Sequence, residues 1–191
     1  MNAQTPEATN EGTTVNGVQL ETLQATVDAI ARDPELGQCR FRARNRWLGG
    51  TRNRTTITGF YGAKQEIAHK QPFTLHADEP PILAGQDAGA NPVEHLLNAL
   101  AACVTTSMVA HAAVRGIHIE ALESELEGDI DLNGFLGLDS EVPKGFTAIR
   151  VRFTVKTDAG NLEQLKELTA FSPVLNTLTH GANVEIEVQA R

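Results

Sequence analysis

The sequence predicts an α+β domain built on a mainly antiparallel sheet. Three separate regions of the chain alternate apolar and polar residues with the period of a β-strand. A long alanine-rich stretch with helical character separates the first of these regions from the second, and helices and strands do not alternate strictly. With 191 residues, 41% of them apolar, the chain is long enough for one domain with its own core.

The N-terminal part divides into a tail and a helix. Residues 1–15 are polar and have too few large apolar side chains to order themselves, which predicts a disordered tail. Residues 16–37 form a predicted N-terminal helical extension that ends at Asp33-Pro34. Its apolar residues recur at helical spacing: Leu20, Leu23, Val27 and Ile30. The domain proper is then residues 38–191.

A hairpin rich in arginine opens this domain. Residues 38–47 alternate as one predicted strand, with Cys39 and Trp47 on its apolar side. The other side is a row of guanidinium groups: Arg40, Arg42, Arg44 and Arg46. Gly49-Gly50 makes the turn, residues 55–61 return as the second strand, and residues 73–76 form a short third strand.

The long helix has a clear beginning and end. Asn91 is a good N-cap, Pro92 suits the first helical position, and Glu94 stands three residues after the cap, as in a capping box. The helix is predicted to run to about Arg115 and to stop at Gly116. Its alanines permit close approach of another backbone. Cys103 lies in its middle.

The C-terminal third predicts two strands, two helices and a last strand. Residues 122–130 have an acidic outer face and residues 149–156 a basic one, so they are predicted to pair antiparallel around the loop 132–145. A helix begins at Asn161 as its cap, and a shorter one runs from Ser172-Pro173 to His180-Gly181. The final strand is predicted from the alternation of Val184, Ile186 and Val188.

Composition excludes several classes of function. A net charge of −8 argues against a general nucleic-acid binder. No apolar stretch approaches the length of a membrane span and the N-terminus lacks a secretory pattern, so we expect a cytoplasmic protein with no membrane partner. Two cysteines far apart predict reduced thiols. The six histidines show no metal-ligand spacing, and no metal or cofactor is expected.

The sequence resembles the OsmC/Ohr family of osmotically inducible and organic-hydroperoxide-resistance proteins. The resemblance covers roughly residues 38–190 and rests on two segments, Asn91-Pro92-x-Glu94 continuing to Ala101-Ala102-Cys103, and Ser172-Pro173-Val174-Leu175-Asn176-Thr177-Leu178. It implies an intertwined homodimer whose sheets wrap around central helices, with active sites at the subunit interface. It also implies a peroxiredoxin-like thiol peroxidase that acts on organic hydroperoxides in the oxidative stress response.

By this resemblance, Cys103 takes the reactive position, Arg52 that of the arginine near the first hairpin, and Glu94 that of the glutamate at the start of the central helix. Arg54 and Arg46 are alternatives to Arg52. A cationic neighbour suits the chemistry because the thiolate is the nucleophile and a guanidinium lowers the pKa of a thiol.

Each of these residues also has a purely structural interpretation. Cys103 is then an inert, buried small hydrophobe, and the arginines are solvated strand charges. Glu94 is then a capping residue, since a position nine residues before Cys103 faces the opposite side of a straight helix.

Ser172 stands where the family's peroxidases have the second cysteine of a Cys-Pro motif. A hydroxyl cannot condense with a sulfenic acid, so the resemblance implies a single-cysteine peroxidase that needs an external thiol reductant. Cys39 is the other possible resolving thiol, although its place on the apolar side of the strand predicts a core position. Ser172 is interpreted as an N-cap and His180 as a helix-end residue. The alternative function is a non-catalytic dimer that binds an apolar small molecule.

Overall fold

The computed structural model describes residues 12–190, and the α+β architecture is confirmed. Residues 1–11 of the predicted tail lie outside the described part of the chain. The helices are α1 (Leu20–Arg32), α2 (Pro92–Val114), α3 (Leu132–Phe135), α4 (Leu162–Leu168) and α5 (Pro173–His180). The strands are β1 (Thr14–Val15), β2 (Val18–Gln19), β3 (Arg40–Phe41), β4 (Arg44–Gly49), β5 (Arg52–Gly62), β6 (Gln65–Ala77), β7 (Ala121–Asp129) and β8 (Ala148–Lys156).

The buried core lies along one side of α2. Four α2 residues at intervals of four positions form a buried stripe, as helical periodicity requires: Leu100, Val104, Met108 and Ala112. This stripe packs against Leu165 and Leu168 of α4, with Val174 and Leu175 of α5 and the apolar face of β7 and β8 around it. We call α2, α4, α5, β7 and β8 the helical half of the molecule, and α2 is its central element.

Strands β7 and β8 form the predicted antiparallel pair. Glu127 lies opposite Arg150 and Glu125 opposite Arg152, so acidic and basic outer faces meet across the ladder. The Arg150 guanidinium also binds Asp129, and this pairing holds the pKa of the Asp129 carboxyl below its usual range. The prediction of complementary charges on neighbouring strands is confirmed.

The first sheet has four strands, with β3 and β4 both pairing antiparallel with one side of β5 and β6 with the other. The single strand predicted over residues 38–47 is broken at Arg42 and Ala43. Across this break β5 has one residue more than the segment opposite, since Phe41 pairs with Phe60 and Arg44 with Thr56, and a continuous strand would have to follow that shift. Strand β6 is longer than the predicted residues 73–76.

Little of the helical half covers this sheet. Its attachments to the α2 segment lie at one end, where Ala77 forms a bridge with Ala90 and the His95 Nε2 lies 3.0 Å from the His76 carbonyl. One face of the sheet is apolar and exposed: Phe41 is 76% and Trp47 71% accessible, and Phe73 and Leu75 are also open. Sheets bury one face against another layer, and here no layer of the same chain does so within residues 12–190.

The prediction of a final strand is wrong for the single chain. Residues 181–190 are in no strand, although the alternation of Val184, Ile186 and Val188 with acidic residues is that of a strand. These three side chains are 76–91% exposed. A strand exists only when a neighbour accepts its backbone hydrogen bonds, and none of the described strands pairs with this segment.

The N-terminal extension begins with a hairpin that docks on the core. Strands β1 and β2 are joined by Asn16-Gly17, both with positive φ, as a two-residue hairpin turn requires. The Asn16 side chain donates to the Ile117 carbonyl and accepts from the Ile119 amide, both at 2.8 Å. Val15 is buried. The sequence predicted ordered structure from residue 16 onward, but the hairpin begins earlier, within residues 12–15.

The far end of the extension reaches the first sheet. After α1, a short 3-10 helix (Pro34–Gly37) brings Asp33 and Glu35 to Lys64, whose Nζ lies 2.6 and 3.0 Å from their carboxylates. Lys64 belongs to the turn between β5 and β6. The extension therefore connects the end of α2 with the tip of the first sheet.

Within residues 12–190, one helix is long and apolar enough to cross a membrane by length and composition alone. This helix is α2, with a mean hydropathy of 1.5 in its most apolar window, of which 28% is buried. No such segment was expected from the sequence. In the fold, α2 is the central helix on which α4, α5 and β7 pack.

We expect Asn16→Ala to detach the hairpin, because it leaves the Ile117 carbonyl and the Ile119 amide without partners in a partly buried place. The loss is about 1–3 kcal/mol in the free energy of unfolding, measured by urea titration. Hydrogen exchange at the Ile119 amide should accelerate in the same variant. Asn183→Ala is the control, since the Asn183 side chain bonds only to Glu185 in an exposed segment. Unchanged exchange at Ile119 would contradict this docking.

Candidate functional site

Cys103 lies halfway along α2 and is partly buried. It stands beside the buried stripe rather than within it, on the side of the helix that also holds Ala99 and Ala102. Among residues 12–190 no group donates a hydrogen bond to its sulfur; the Thr106 hydroxyl bonds to its backbone carbonyl only. The thiol is thus positioned by a rigid helix and has no polar partner in the described part of its own chain.

The start of α2 is fixed by the predicted capping box. The Asn91 side chain accepts from the Val93 amide at 2.9 Å, and the Glu94 carboxylate accepts from the Asn91 amide at 2.8 Å. Glu94 is therefore engaged at the helix start. The helix ends as predicted, with Arg115 as its C-cap and Gly116 at positive φ.

Arg52 opens β5, directly after the Gly49-Gly50 turn. Its side chain is exposed and makes no ion pair within the described residues. Its neighbour Thr51 fixes the turn, because the Thr51 hydroxyl donates to the Asp78 carboxylate at 2.6 Å. The hydrogen bond from Thr51 to Asp78 therefore also helps to position Arg52.

Asp78 is the centre of this network. It is 1% exposed and also accepts from the backbone amides of Glu79, Gln86 and Ala88 at 2.9–3.1 Å. The Thr51 hydroxyl and these amides favour the charged carboxylate and lower the pKa of Asp78 to about 2. Asp78 thereby joins the first hairpin turn to the loop that leads into α2.

That loop continues to the cap of α2. The Glu79 carboxylate accepts from the side-chain amide of Asn91. A chain of bonds therefore runs from Thr51 through Asp78 and Glu79 to Asn91 and Glu94. Sequence reasoning missed Asp78; the available signal was an acidic residue at a strand end, followed by a loop with Gly85 and Gly89 that presents backbone amides.

Cys103, Arg52 and Glu94 are not brought together within one chain. No hydrogen bond or ion pair joins any two of them among residues 12–190. Arg52 belongs to the end of the sheet near the start of α2, whereas Cys103 lies about 16 Å further along the helix axis. The roles of the three residues stay predictions.

Cys39 departs from expectation, since it is exposed rather than part of the core. Its sulfur lies against Gly62 at the end of β5. The prediction failed because the apolar face of this sheet is uncovered, so a place on that face does not confer burial.

Ser172 is fully buried and caps α5, accepting from the Leu175 amide at 3.2 Å. The N-cap interpretation is confirmed. His180 is the last residue of α5, and its Nδ1 lies 3.2 Å from the Asn176 carbonyl. Beside Ser172, Phe171 stacks on the His111 ring of α2 at 3.9 Å. Burial, with Arg115 nearby, lowers the pKa of His111.

A cavity of about 410 Å³ opens between α2, α5 and the start of β8. Leu96 and Leu100 of α2, Leu175 and Leu178 of α5, and Phe146 line it. Leu100 stands one helical turn before Cys103. An apolar ligand fits this lining.

Asp78→Asn should destabilise the fold in a pH-dependent way. The carboxyl has a pKa of about 2 in the folded protein and about 3.9 when unfolded, so its contribution is complete above pH ~4 and disappears as the pH falls to ~2. Urea titrations of both proteins should therefore differ at pH 7 and converge near pH 2. Asp28→Asn, on the exposed side of α1, is the control. An equal difference at both pH values would contradict the charged role of Asp78.

The model of OsmC-like proteins matches residues 85–187, more than half of the chain. Among solved structures, an OsmC-like protein from Mycoplasma pneumoniae superposes with a TM-score of 0.54 at 18% identity, covering 74% of this chain and 88% of that one. A candidate osmotic stress induced and detoxification response protein from Psychrobacter arcticus gives 0.55 at 15%, covering 73% and 88%. An OsmC-like protein of unknown function from Vibrio cholerae gives 0.51 at 14%, covering 72% and 92%. No match was found among curated proteins. These likenesses show the fold, and the match over residues 85–187 shows that the chain belongs to the family of OsmC-like proteins.

Proposed function

We propose that this protein is a thiol peroxidase that reduces organic hydroperoxides through Cys103 and an external thiol. The observation that supports it most is the thiol of Cys103, held in the central helix of an OsmC-like domain with no polar partner among residues 12–190 of its own chain. A structural cysteine would be expected in the buried stripe, and Cys103 stands beside it.

The chemistry needs one cysteine and two equivalents of thiol. The Cys103 thiolate attacks the terminal oxygen of ROOH, the O–O bond breaks, and with one proton the products are Cys103 sulfenic acid and ROH. One external thiol condenses with the sulfenic acid and releases water. A second thiol reduces the mixed disulfide and restores Cys103. Ser172, buried and bonded as a cap, takes no part. Such thiols are abundant in the cytoplasm, where we propose that the protein acts.

The arginine of the proposed site comes from a second copy of the chain. Arg52 belongs to a sheet whose apolar face is uncovered, while the Cys103 side of α2 is also left open. An intertwined homodimer covers both surfaces at once and presents the first hairpin to the partner's helix. Arg52 then stabilises the thiolate, with Arg54 and Arg46 as alternatives on the same face and Glu94 oriented by its cap.

The cavity beside Leu100 supports a second candidate function, the binding of an apolar small molecule without catalysis. In that case Cys103 is part of the packing. Both candidate functions use the same dimer, so the oligomeric state does not distinguish them. An assay of peroxide consumption does.

The wild type should consume cumene hydroperoxide with dihydrolipoamide or with a monothiol, and Cys103→Ser should be reduced to background. Cys39→Ser is the matched control and should retain activity, because Cys39 is exposed just before β3 and not required for resolution. Arg52→Gln should lose about tenfold or more in rate, whereas Arg32→Gln on α1 should not. Equal, background-level turnover in the wild type and in Cys103→Ser would exclude the peroxidase function and favour the non-catalytic binding function.

The dimer should have twice the 20.6 kDa mass of one chain in light scattering. Trp47, the only tryptophan, is 71% exposed in the single chain and should be shielded from acrylamide quenching in the assembly. Phe73→Asp should weaken association, since it places a charge on the apolar face. Leu138→Asp, in an exposed loop of the helical half, should not. Monomeric mass with a freely quenched Trp47 would refute this assembly.

A further inference from the structure

The charged residues of β7 and β8 mostly have a partner of opposite sign. Across β7 and β8, Arg150 and Arg152 lie opposite glutamates, and in the first sheet Arg42 binds Glu66 with two hydrogen bonds of 2.6 and 2.8 Å. Opposite charges on neighbouring strands stabilise a sheet, and like charges directly opposed destabilise it. Any row of like charges is therefore an exception that needs a reason.

Such a row crosses the first sheet. Arg46 of β4 is directly opposite Arg54 of β5, which is directly opposite His76 of β6. Directly opposed residues share a face, and with strands about 4.8 Å apart the row extends over roughly 10 Å. In the next row on the same face, Arg44 lies opposite Thr56. All of these groups can donate hydrogen bonds.

Among the described residues no carboxylate forms an ion pair with the arginines of this row. None of the ion pairs among residues 12–190 involves Arg44, Arg46 or Arg54. Charged residues on an outer strand prevent edge-to-edge aggregation, which accounts for Arg44 and Arg46 on β4. That reason does not apply to Arg54, because β5 lies between two strands. In a chain with a net charge of −8, the missing negative group is most simply supplied by a ligand.

A groove adjoins the row on the side of Arg44. It has a volume of about 410 Å³ and lies where β3 and β4 separate. Arg44 and Thr56 line it together with Phe60 and Ile67, so it offers both donors and apolar surface. The Glu66 carboxylate also lines the groove, with its charge paired by Arg42. A small molecule with an anionic group and a compact body fits this combination.

We propose that Arg46, Arg54 and His76, with Arg44 and Thr56 beside them, bind the phosphate group of a soluble small molecule. Guanidinium groups bind phosphate with paired, charge-assisted hydrogen bonds, and a dianion neutralises two of them at once. Arg46 and Arg54 are also the alternatives to Arg52 beside the Cys103 thiolate, so this site goes with Arg52 in that role. It needs none of the thiol chemistry proposed above.

The test measures thermal unfolding of the full chain in phosphate-free buffer with added pyrophosphate, against sodium chloride at equal ionic strength. Pyrophosphate should raise the wild-type Tm beyond the effect of chloride. Arg54→Gln should weaken pyrophosphate binding by roughly tenfold or more, and should itself raise the Tm in phosphate-free buffer because it removes a like-charge contact. Arg46→Gln, on the outer strand, should act in the same direction.

Arg152→Gln is the matched control, since Arg152 is equally exposed on a strand but faces Glu125. It should keep the response to pyrophosphate. An equal effect of chloride, or an undiminished response in both Arg54→Gln and Arg46→Gln, would overturn the site. Binding to vesicles containing phosphatidylglycerol without any response to pyrophosphate would overturn its assignment to a soluble ligand.

Discussion

The burial of one stripe of α2 is the constraint on which the rest of the structure depends. A helix of 23 residues with an apolar composition needs cover on most of its circumference, and one chain covers only the side of Leu100, Val104, Met108 and Ala112. The side with Cys103 stays open. The apolar face of the first sheet is uncovered at the same time, although it belongs to the same chain. The proposed intertwined homodimer covers both of these exposed surfaces at once.

Asp78 has a different kind of importance, because it connects parts that packing leaves separate. The first sheet and α2 meet only at one end, and there a buried carboxylate accepts bonds from Thr51 and from three backbone amides. The turn before Arg52 and the loop before α2 are therefore held to one another by charge-assisted bonds rather than by side-chain burial. The orientation of the sheet relative to the helix depends on these polar contacts at its base and on the extension that pairs with Lys64 at its tip.

Local signals were sufficient for elements whose partners are near in sequence or whose ends are capped by their own residues. The α2 boundaries followed from Asn91, Pro92 and Gly116, and the pairing of β7 with β8 followed from their opposite charges. The wrong predictions share one cause: each depends on a neighbouring structural element that the local sequence does not specify. The strand over residues 38–47 is broken where β5 has one residue more than the segment opposite, Val184 to Val188 have no described strand beside them, and Cys39 is exposed just before β3. The contacts of Asp78 also escaped prediction, since they join residues brought together only by the fold.

The burial of Ser172 has a consequence for the proposed peroxidase. In a two-cysteine enzyme the second thiol comes from within the protein, and the opening to the first needs only to admit the peroxide. Here the corresponding residue is a buried hydroxyl that caps α5, and Cys39 lies just before β3. The reductant must then reach the Cys103 sulfur from solvent, through an opening bounded by a rigid helix and by whatever covers its open side. This geometry favours a small, slender thiol over a folded redox protein, since only a small molecule reaches a half-buried sulfur without displacing the helix.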